Sequence, residues 1–392
     1  MKRRGPVAAL FFIALVLLAA ALWRLIRPAP QTGALHLTRV HFSDLPGWAT
    51  VEPRGALEAF QRSCGLLAAA PPSTPVGGYG GTAADWASVC NAARTADGNA
   101  ARDFFEQSFQ PLLVSGGDKP DGLFTGYYEP ELHGSLARHG RYQTPVYGVP
   151  GDLISVDLGA FRTSLKGEHI SGRVERHRLV PYPSRAEIDD GGLPQAPALF
   201  YADDPVAVFF LHIQGSGRVV FDDGTRERVA YAAENGRPYT PIGRTLIAQN
   251  ALPKDGMSLQ VIRAWLIAHP QKARAIMESD ESFIFFKLSP LGDPALGAVG
   301  AQGVVLTPQA SIAIDPRIHP LGVPFFLATT APGGSRLERL FVAQDVGGAI
   351  RGAVRADIFF GFGRKAEELA GGMKATGRMY VLLPKPVAER LP

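Results

Sequence analysis

Glycine and proline punctuate this chain so densely that most of it cannot form long helices. From Leu123 to about residue 235, and again beyond residue 282, short β-like runs are broken every eight to twelve residues by Gly, Pro or Asp. Such spacing predicts short strands that close into a barrel or sandwich. The later runs are SFIFFKL (282–288), VVLTP (304–308), SIAIDPRIHPLG (311–322), VPFFLATT (323–330), RLFVAQD (339–345) and ATGRMYVLLPK (375–385). Before them, Ala207–Ile213 and Arg218–Phe221 read as a strand hairpin joined at Gln214–Gly217, with a second turn at Asp222–Gly224. Helical spacing is confined to Ala56–Ala69, Ala84–Arg94, Asn99–Phe109, Ser258–Ala268, Gln271–Glu278 and Arg364–Ala370. The expected protein is mainly β with a few helices. At 392 residues and 46% hydrophobic content it has room for two cores.

The amino terminus is a different kind of segment. Lys2, Arg3 and Arg4 precede an unbroken apolar stretch from Val7 to Trp23, with Ala19–Ala21 as a small-residue cleavage site. Both an anchor and a signal peptide imply export, with the chain beyond residue 28 outside the cytoplasm. No cysteine follows the stretch, so lipid attachment there is excluded. The formal charge of +4 arises here as well: Lys2, Arg3, Arg4, Arg24 and Arg27 flank the stretch, leaving 35 basic against 36 acidic side chains in the rest. A net charge of −1 excludes nucleic acid as a partner. Residues 28–45, rich in proline and polar groups, read as a linker. The two cysteines, Cys64 and Cys90, lie on neighbouring helices of an exported protein and read as a disulfide, with two buried free thiols as the alternative.

Chemistry concentrates in Arg339–Gly363, RLFVAQDVGGAIRGAVRADIFFGFG, which sets Asp345 and Asp357 on either side of a glycine-rich turn. Asp357 precedes Ile358, Phe359 and Phe360, and a carboxyl against apolar surface is harder to ionise, as a general acid working near neutral pH requires. Asp345, beside Gly347 and Gly348, also reads as a turn-former. Asp315, before a proline, reads as structural. The histidines show no metal-ligand spacing, and the Gly361-x-Gly363 pattern lacks the βαβ unit that a dinucleotide needs, so neither a metal nor a cofactor is expected.

The segments FTGYYEP (124–130), FFLHIQGSGRV (209–219), YTPIGR (239–244), SFIFFK (282–287), SIAIDPRIHPLG (311–322) and AQDVGGAIRGAVRADIFFGFG (343–363) occur in this order, and together resemble the membrane-bound lytic murein transglycosylase A family. The last two resemble its three-aspartate, or 3D, domain. The resemblance implies a double-psi β-barrel built from both chain ends, with a second β-barrel-like domain inserted and a groove between them. Carried over, the barrel is residues 46–130 and 291–392, the insert 131–290, and residues 1–27 the signal or anchor. It also implies a peptidoglycan lytic exotransglycosylase that cleaves the MurNAc–GlcNAc β-1,4 bond of glycan strands without water, leaving a 1,6-anhydro end. Asp357 matches the family's catalytic aspartate, Asp345 a supporting one and Asp315 the remaining one. Thr125, Tyr127, Tyr128, Gln214 and Ser216 are expected to line the sugar groove. A conventional two-carboxylate hydrolase and a non-catalytic, expansin-like wall-binding protein are the alternatives, separable by whether and how purified murein is cut.

Overall fold

A computed structural model describes residues 34–165 and 167–391. The segment expected as anchor, residues 1–27, and the start of the linker lie outside the described residues. In chain order, β1 (Leu35–Arg39) leads to α1 (Arg54–Ala69), α2 (Ala83–Thr95) and α3 (Ala101–Ser108), then β2 (Phe109–Gly116) and β3 (Asp121–Glu129). Next come β4 (Glu131–Ser135), β5 (Thr144–Tyr147), β6 (Ile154–Asp157), β7 (His169–Glu175), β8 (Arg178–Pro181), α4 (Arg185–Gly191), β9 (Ala198–Ala202) and α5 (Pro205–Gln214). They are followed by β10 (Gly217–Phe221), β11 (Arg226–Glu234), α6 (Ile242–Ala248), α7 (Leu259–Ala268), α8 (Pro270–Met277) and β12 (Ile284–Pro290). The chain ends in β13 (Ser311–Ile314), β14 (Pro324–Thr330), β15 (Arg336–Val346), β16 (Arg355–Phe362), α9 (Gly363–Gly372), β17 (Lys374–Pro384) and α10 (Lys385–Glu389).

Strands β17, β14, β15, β13, β16 and β3 are hydrogen-bonded in that order, and β3 pairs back to β17, so six strands close into a barrel. Five come from the carboxy-terminal part and one, β3, from far upstream. The barrel core runs on into helices α1–α3, where Phe60, Trp86, Phe105 and Phe109 pack on one another. Helix α1 offers the stripe Ala56, Phe60, Ser63 and Cys64, one face of a 3.6-residue period. Cys64 and Cys90 form a disulfide that joins α1 to α2.

A second six-stranded sheet, β12-β11-β10-β4-β9-β5, lies wholly within residues 131–290, and a bridge from Gly148 to Phe286 brings its edges together. Its own smaller core is built on Leu132, Phe200, Val219, Val229 and Phe286. The chain leaves the first barrel at the end of β3 and returns to it at β13.

Three expectations are corrected. Ala207–Ile213 is not a strand but part of α5. Asp204 accepts a hydrogen bond from the Val206 N–H (2.8 Å), Pro205 occupies the first turn, and Gly215, at φ +78°, ends the helix. These start and stop signals outweigh a β-like apolar run that carries no periodicity of its own. The segment 304–308 is not a strand either: Val305 makes a single bridge to Val299 across the turn at Gly303, at φ +93°, and Leu306 packs against Phe359 and Ala313 of the barrel instead of pairing in its sheet. The expected linker is folded from Leu35 onward, because β1 pairs with β2 along the sheet edge.

Candidate active site

Four neighbouring strands carry the groove residues in one row. Ala313 of β13 is in register with Asp345 of β15 on one side and with Asp357 of β16 on the other, and Asp357 is in turn opposite Thr125 of β3. Residues in register share a face, so the two carboxylates look into the same cleft across a single alanine. Ala313 itself is buried against Tyr127, Phe359, Leu306 and Ile350 and puts no polar group between the carboxylates. Tyr127 and Phe359, each two residues further along its strand, have ring centroids 5.2 Å apart and form a buried apolar layer beside the row with Leu306 and Ile350.

Asp357 is half-buried. Its Oδ1 accepts a hydrogen bond of 2.5 Å from the Thr125 hydroxyl, and Thr125 Oγ1 accepts one of 2.8 Å from Arg355 Nη2. The guanidinium can only donate, so it directs the threonine proton towards Asp357 Oδ1 and leaves Oδ2 to carry the acid proton. Burial raises the pKa of Asp357; the Arg355 charge and the Thr125 bond oppose this without cancelling it. Only Phe359 shares its face, whereas Ile358 and Phe360 point into the barrel core. The apolar surroundings expected from the sequence are thus one-third of what the run suggested.

Asp345 is held differently. Its Oδ2 accepts from the Tyr127 hydroxyl (2.8 Å) and its Oδ1 from the Ala301 N–H (3.0 Å). Burial raises this pKa too, and these donors oppose it. The Asp357 charge adds a smaller upward push on Asp345. Both oxygens of Asp345 are thus occupied by donors, whereas Asp357 keeps Oδ2 free, which makes Asp357 the carboxyl better placed to give up and take back a proton. Tyr127 stays a neutral donor, because burial and then the Asp345 charge raise its pKa far above the usual phenol value.

Asp315 lies outside the cleft. It is fully buried, forms a two-pronged pair with Arg317 (2.9 and 2.8 Å), and accepts the Gly352 N–H (3.0 Å). Burial alone would raise its pKa, but the Arg317 and Gly352 hydrogen bonds win and bring it to about 2. It pins the loop that separates the two cleft aspartates.

The expected sugar-lining residues divide by strand periodicity. Thr125 and Tyr127 face the cleft. Tyr128 faces the other way, is 2% exposed within the barrel core, and feels the charge of Glu367. Gly126, also on that side, could not be replaced without collision, since an added Cβ would lie 2.5 Å from Phe360 and 3.0 Å from the α9 backbone. Gln214 ends α5, and its Oε1 accepts the Tyr128 N–H (2.9 Å), bracing β3 from the insert. Ser216 is buried where the chain enters β10. Neither is therefore a freely exposed sugar ligand.

The sequence reading missed Arg355 and Tyr239. Arg355 had a signal, since it stands two residues before Asp357 on the same strand. Tyr239, on the insert, lies close enough that the charges of Asp280 and Asp357 reinforce burial in raising its pKa to about 12. It opens the YTPIGR segment, but nothing in that segment alone placed its ring beside Asp357.

A closed β-barrel that shares a carboxylate-lined cleft with an inserted β-domain defines a two-domain protein whose candidate site is at the joint. Residues 123–287 match the MltA specific insert domain and residues 310–383 the 3D domain. The chain belongs to the membrane-bound lytic murein transglycosylase A family. It is 35% identical over 273 residues to the Escherichia coli K12 protein of that name, a match covering 68% of this chain and 66%, just under two thirds, of that protein. Among solved structures, a membrane-bound lytic murein transglycosylase from Agrobacterium tumefaciens superposes with a TM-score of 0.79 at 34% identity, covering 90% of this chain and 99% of that one. E. coli MltA with bound chitohexaose superposes with a TM-score of 0.66 at 28% identity, covering 91% of this chain and 96% of that one.

Proposed function

We propose that this protein is a peptidoglycan lytic transglycosylase that cleaves the MurNAc–GlcNAc β-1,4 bond and leaves a 1,6-anhydromuramic acid end. The observation that carries this reading is the asymmetry of the two cleft carboxylates. Burial raises both pKa values, but Asp357 has one oxygen free, whereas both oxygens of Asp345 are occupied by donors. One carboxyl is then available for proton transfer, and the second serves as fixed negative charge.

In the first step Asp357 Oδ2 gives its proton to the glycosidic oxygen, the C1–O4 bond breaks, and positive charge develops at C1 and the ring oxygen. Ionised Asp345 stabilises that charge from across Ala313. In the second step the sugar's own C6 hydroxyl attacks C1 and its proton returns to Asp357. The enzyme ends as it began, and no water is consumed. A conventional glycosidase needs a second carboxylate free to act as base or nucleophile, which the Tyr127 and Ala301 donors disfavour here. Thr125 and Tyr127 hold the carboxylates, while exposed Tyr239 offers a ring face for a sugar.

The barrel comprises residues 46–130 and 291–392 and the insert 131–290, with β1 an edge extension of the first. The glycan lies in the groove between them, where the carboxylates are; that the E. coli relative binds chitohexaose supports a saccharide ligand. Residues 1–27 export the chain and residues 28–34 tether it, which agrees with relatives named as membrane-bound and with action in the periplasm. The test is digestion of purified murein sacculi followed by mass spectrometry. Muropeptides one water lighter than hydrolysis products, with no reducing muramic ends, are expected; reducing ends would establish a hydrolase, and uncut strands a binding protein.

A further inference from the structure

Three successive residues on one face of β3 are each committed to a different partner. Thr125 holds Asp357, Tyr127 holds Asp345, and Glu129 enters a buried cluster with two arginines of the insert. Glu129 Oε2 accepts from Arg218 Nε (2.9 Å), and Oε1 accepts from Arg228 Nη1 and from the Ala298 N–H (2.6 Å). All three side chains are less than a tenth exposed. Their remaining guanidinium protons reach the returning connector: Arg218 donates to the carbonyls of Pro294 (3.0 Å) and Leu296 (2.9 Å), and Arg228 to those of Leu291 and Leu296 (3.0 Å each). The Arg218 guanidinium carbon also stands 3.4 Å from the ring centroid of Phe362, the last residue of the Asp357 strand.

A buried cluster of two cations and one anion is a poor source of stability, because desolvation offsets most of its attraction. Its forked, directional bonds are suited to fixing geometry instead. What they fix is the connector, which a few residues later supplies the Ala301 N–H to Asp345 and the Gln302 N–H to Gln344 O (3.0 Å each). We propose that Glu129, Arg218 and Arg228 form a positioning lock that clamps the insert and the 291–302 connector onto the barrel and so sets the hydrogen bonding of Asp345 and the placement of Asp357. The lock rests on the transglycosylase reading for its effect on turnover, but its geometric part can be measured without turnover.

The test uses Glu129→Gln in the full chain. Amide hydrogen exchange at Ala298, Ala301 and Gln302 is expected to accelerate at least about tenfold relative to the same amides in the wild type, through loss of local protection. Turnover of purified murein is expected to fall about 10²-fold in kcat with a much smaller change in KM, because misplaced reacting groups slow chemistry more than binding. The pH–rate profile moves upward as Asp345 loses its backbone donor, a shift that destabilisation alone does not produce. Unchanged connector exchange overturns the lock. An unaltered kcat and pH profile in folded variant overturns its link to the carboxylates. If the wild type forms no anhydro product, the transglycosylase reading fails while the exchange result still judges the clamp. Should Glu129→Gln not fold, Arg218→Lys keeps a cation beside Glu129 but cannot reach both carbonyls, and the same exchange change and kcat-over-KM split, smaller in size, are required of it.

Discussion

Asp315, just past the end of β13, and Asp357, on the adjacent β16, are both influenced most by burial, yet they end on opposite sides of the ordinary carboxylate pKa. Asp315 has two bonds from a guanidinium and a backbone N–H, and is driven down to about 2. Asp357 has a single hydroxyl and a more distant guanidinium, and stays raised. Desolvation therefore does not decide the protonation state by itself. The number of donors that the fold delivers to each carboxylate decides it. The fully buried aspartate holds structure together, and the half-exposed one is left able to exchange a proton.

The contrast can be broken most severely at Asp357. Asp357→Asn should lower the rate of murein cleavage by about 10³-fold or more, the size expected for loss of a general acid and base. The same variant should melt at a higher temperature than wild type at pH 7. A raised carboxyl makes the folded state bind more protons than the unfolded one above pH about 4, so its ionisation destabilises the fold as pH rises, and asparagine removes that penalty. Parallel melting curves at pH 4 and pH 7 would show the gain at pH 7 only.

Asp315→Asn should do the reverse, leaving cleavage chemistry available but costing about 2 kcal/mol in urea unfolding at pH 7, a value discounted because Arg317 and Arg351 are half exposed. Because its folded pKa is depressed, this stabilisation is present above the unfolded value near 4 and is lost as pH falls through about 2. Wild type and variant should therefore converge in stability at the acid end.

Thr125→Val is a milder way to sharpen the comparison. It removes the donor that restrains Asp357, so the limb of the pH–rate profile that reports this carboxyl should move upward, with kcat lower by about tenfold. An unmoved profile would mean that the threonine does not set the acid.

Local signals in the sequence were enough to mark β13, β14, β15 and β17, the helix after β16, the two amino-terminal helices joined by Cys64 and Cys90, and the motif carrying Asp345 and Asp357. Turn residues and residue periodicity act over a few positions, and there they are decisive. Where the chain was uniformly apolar, as at Ala207–Ile213, periodicity was silent, and the capping residues Asp204 and Gly215 chose the helix. Tyr128 was misplaced for a related reason: alternation says that it faces away from Tyr127, but only the packed sheet shows which face is the cleft. The rest belongs to tertiary structure alone. The row from Asp345 through Ala313 to Asp357 and Thr125 joins strands 232 residues apart in the chain at its far end, and the Glu129 bonds to Arg218 and Arg228 close loops of 89 and 99 residues. Side-chain identity supplied the groups able to ionise, donate or accept. Their distances, burial and number of partners, which set what each carboxylate does, exist only once the barrel has closed around its insert.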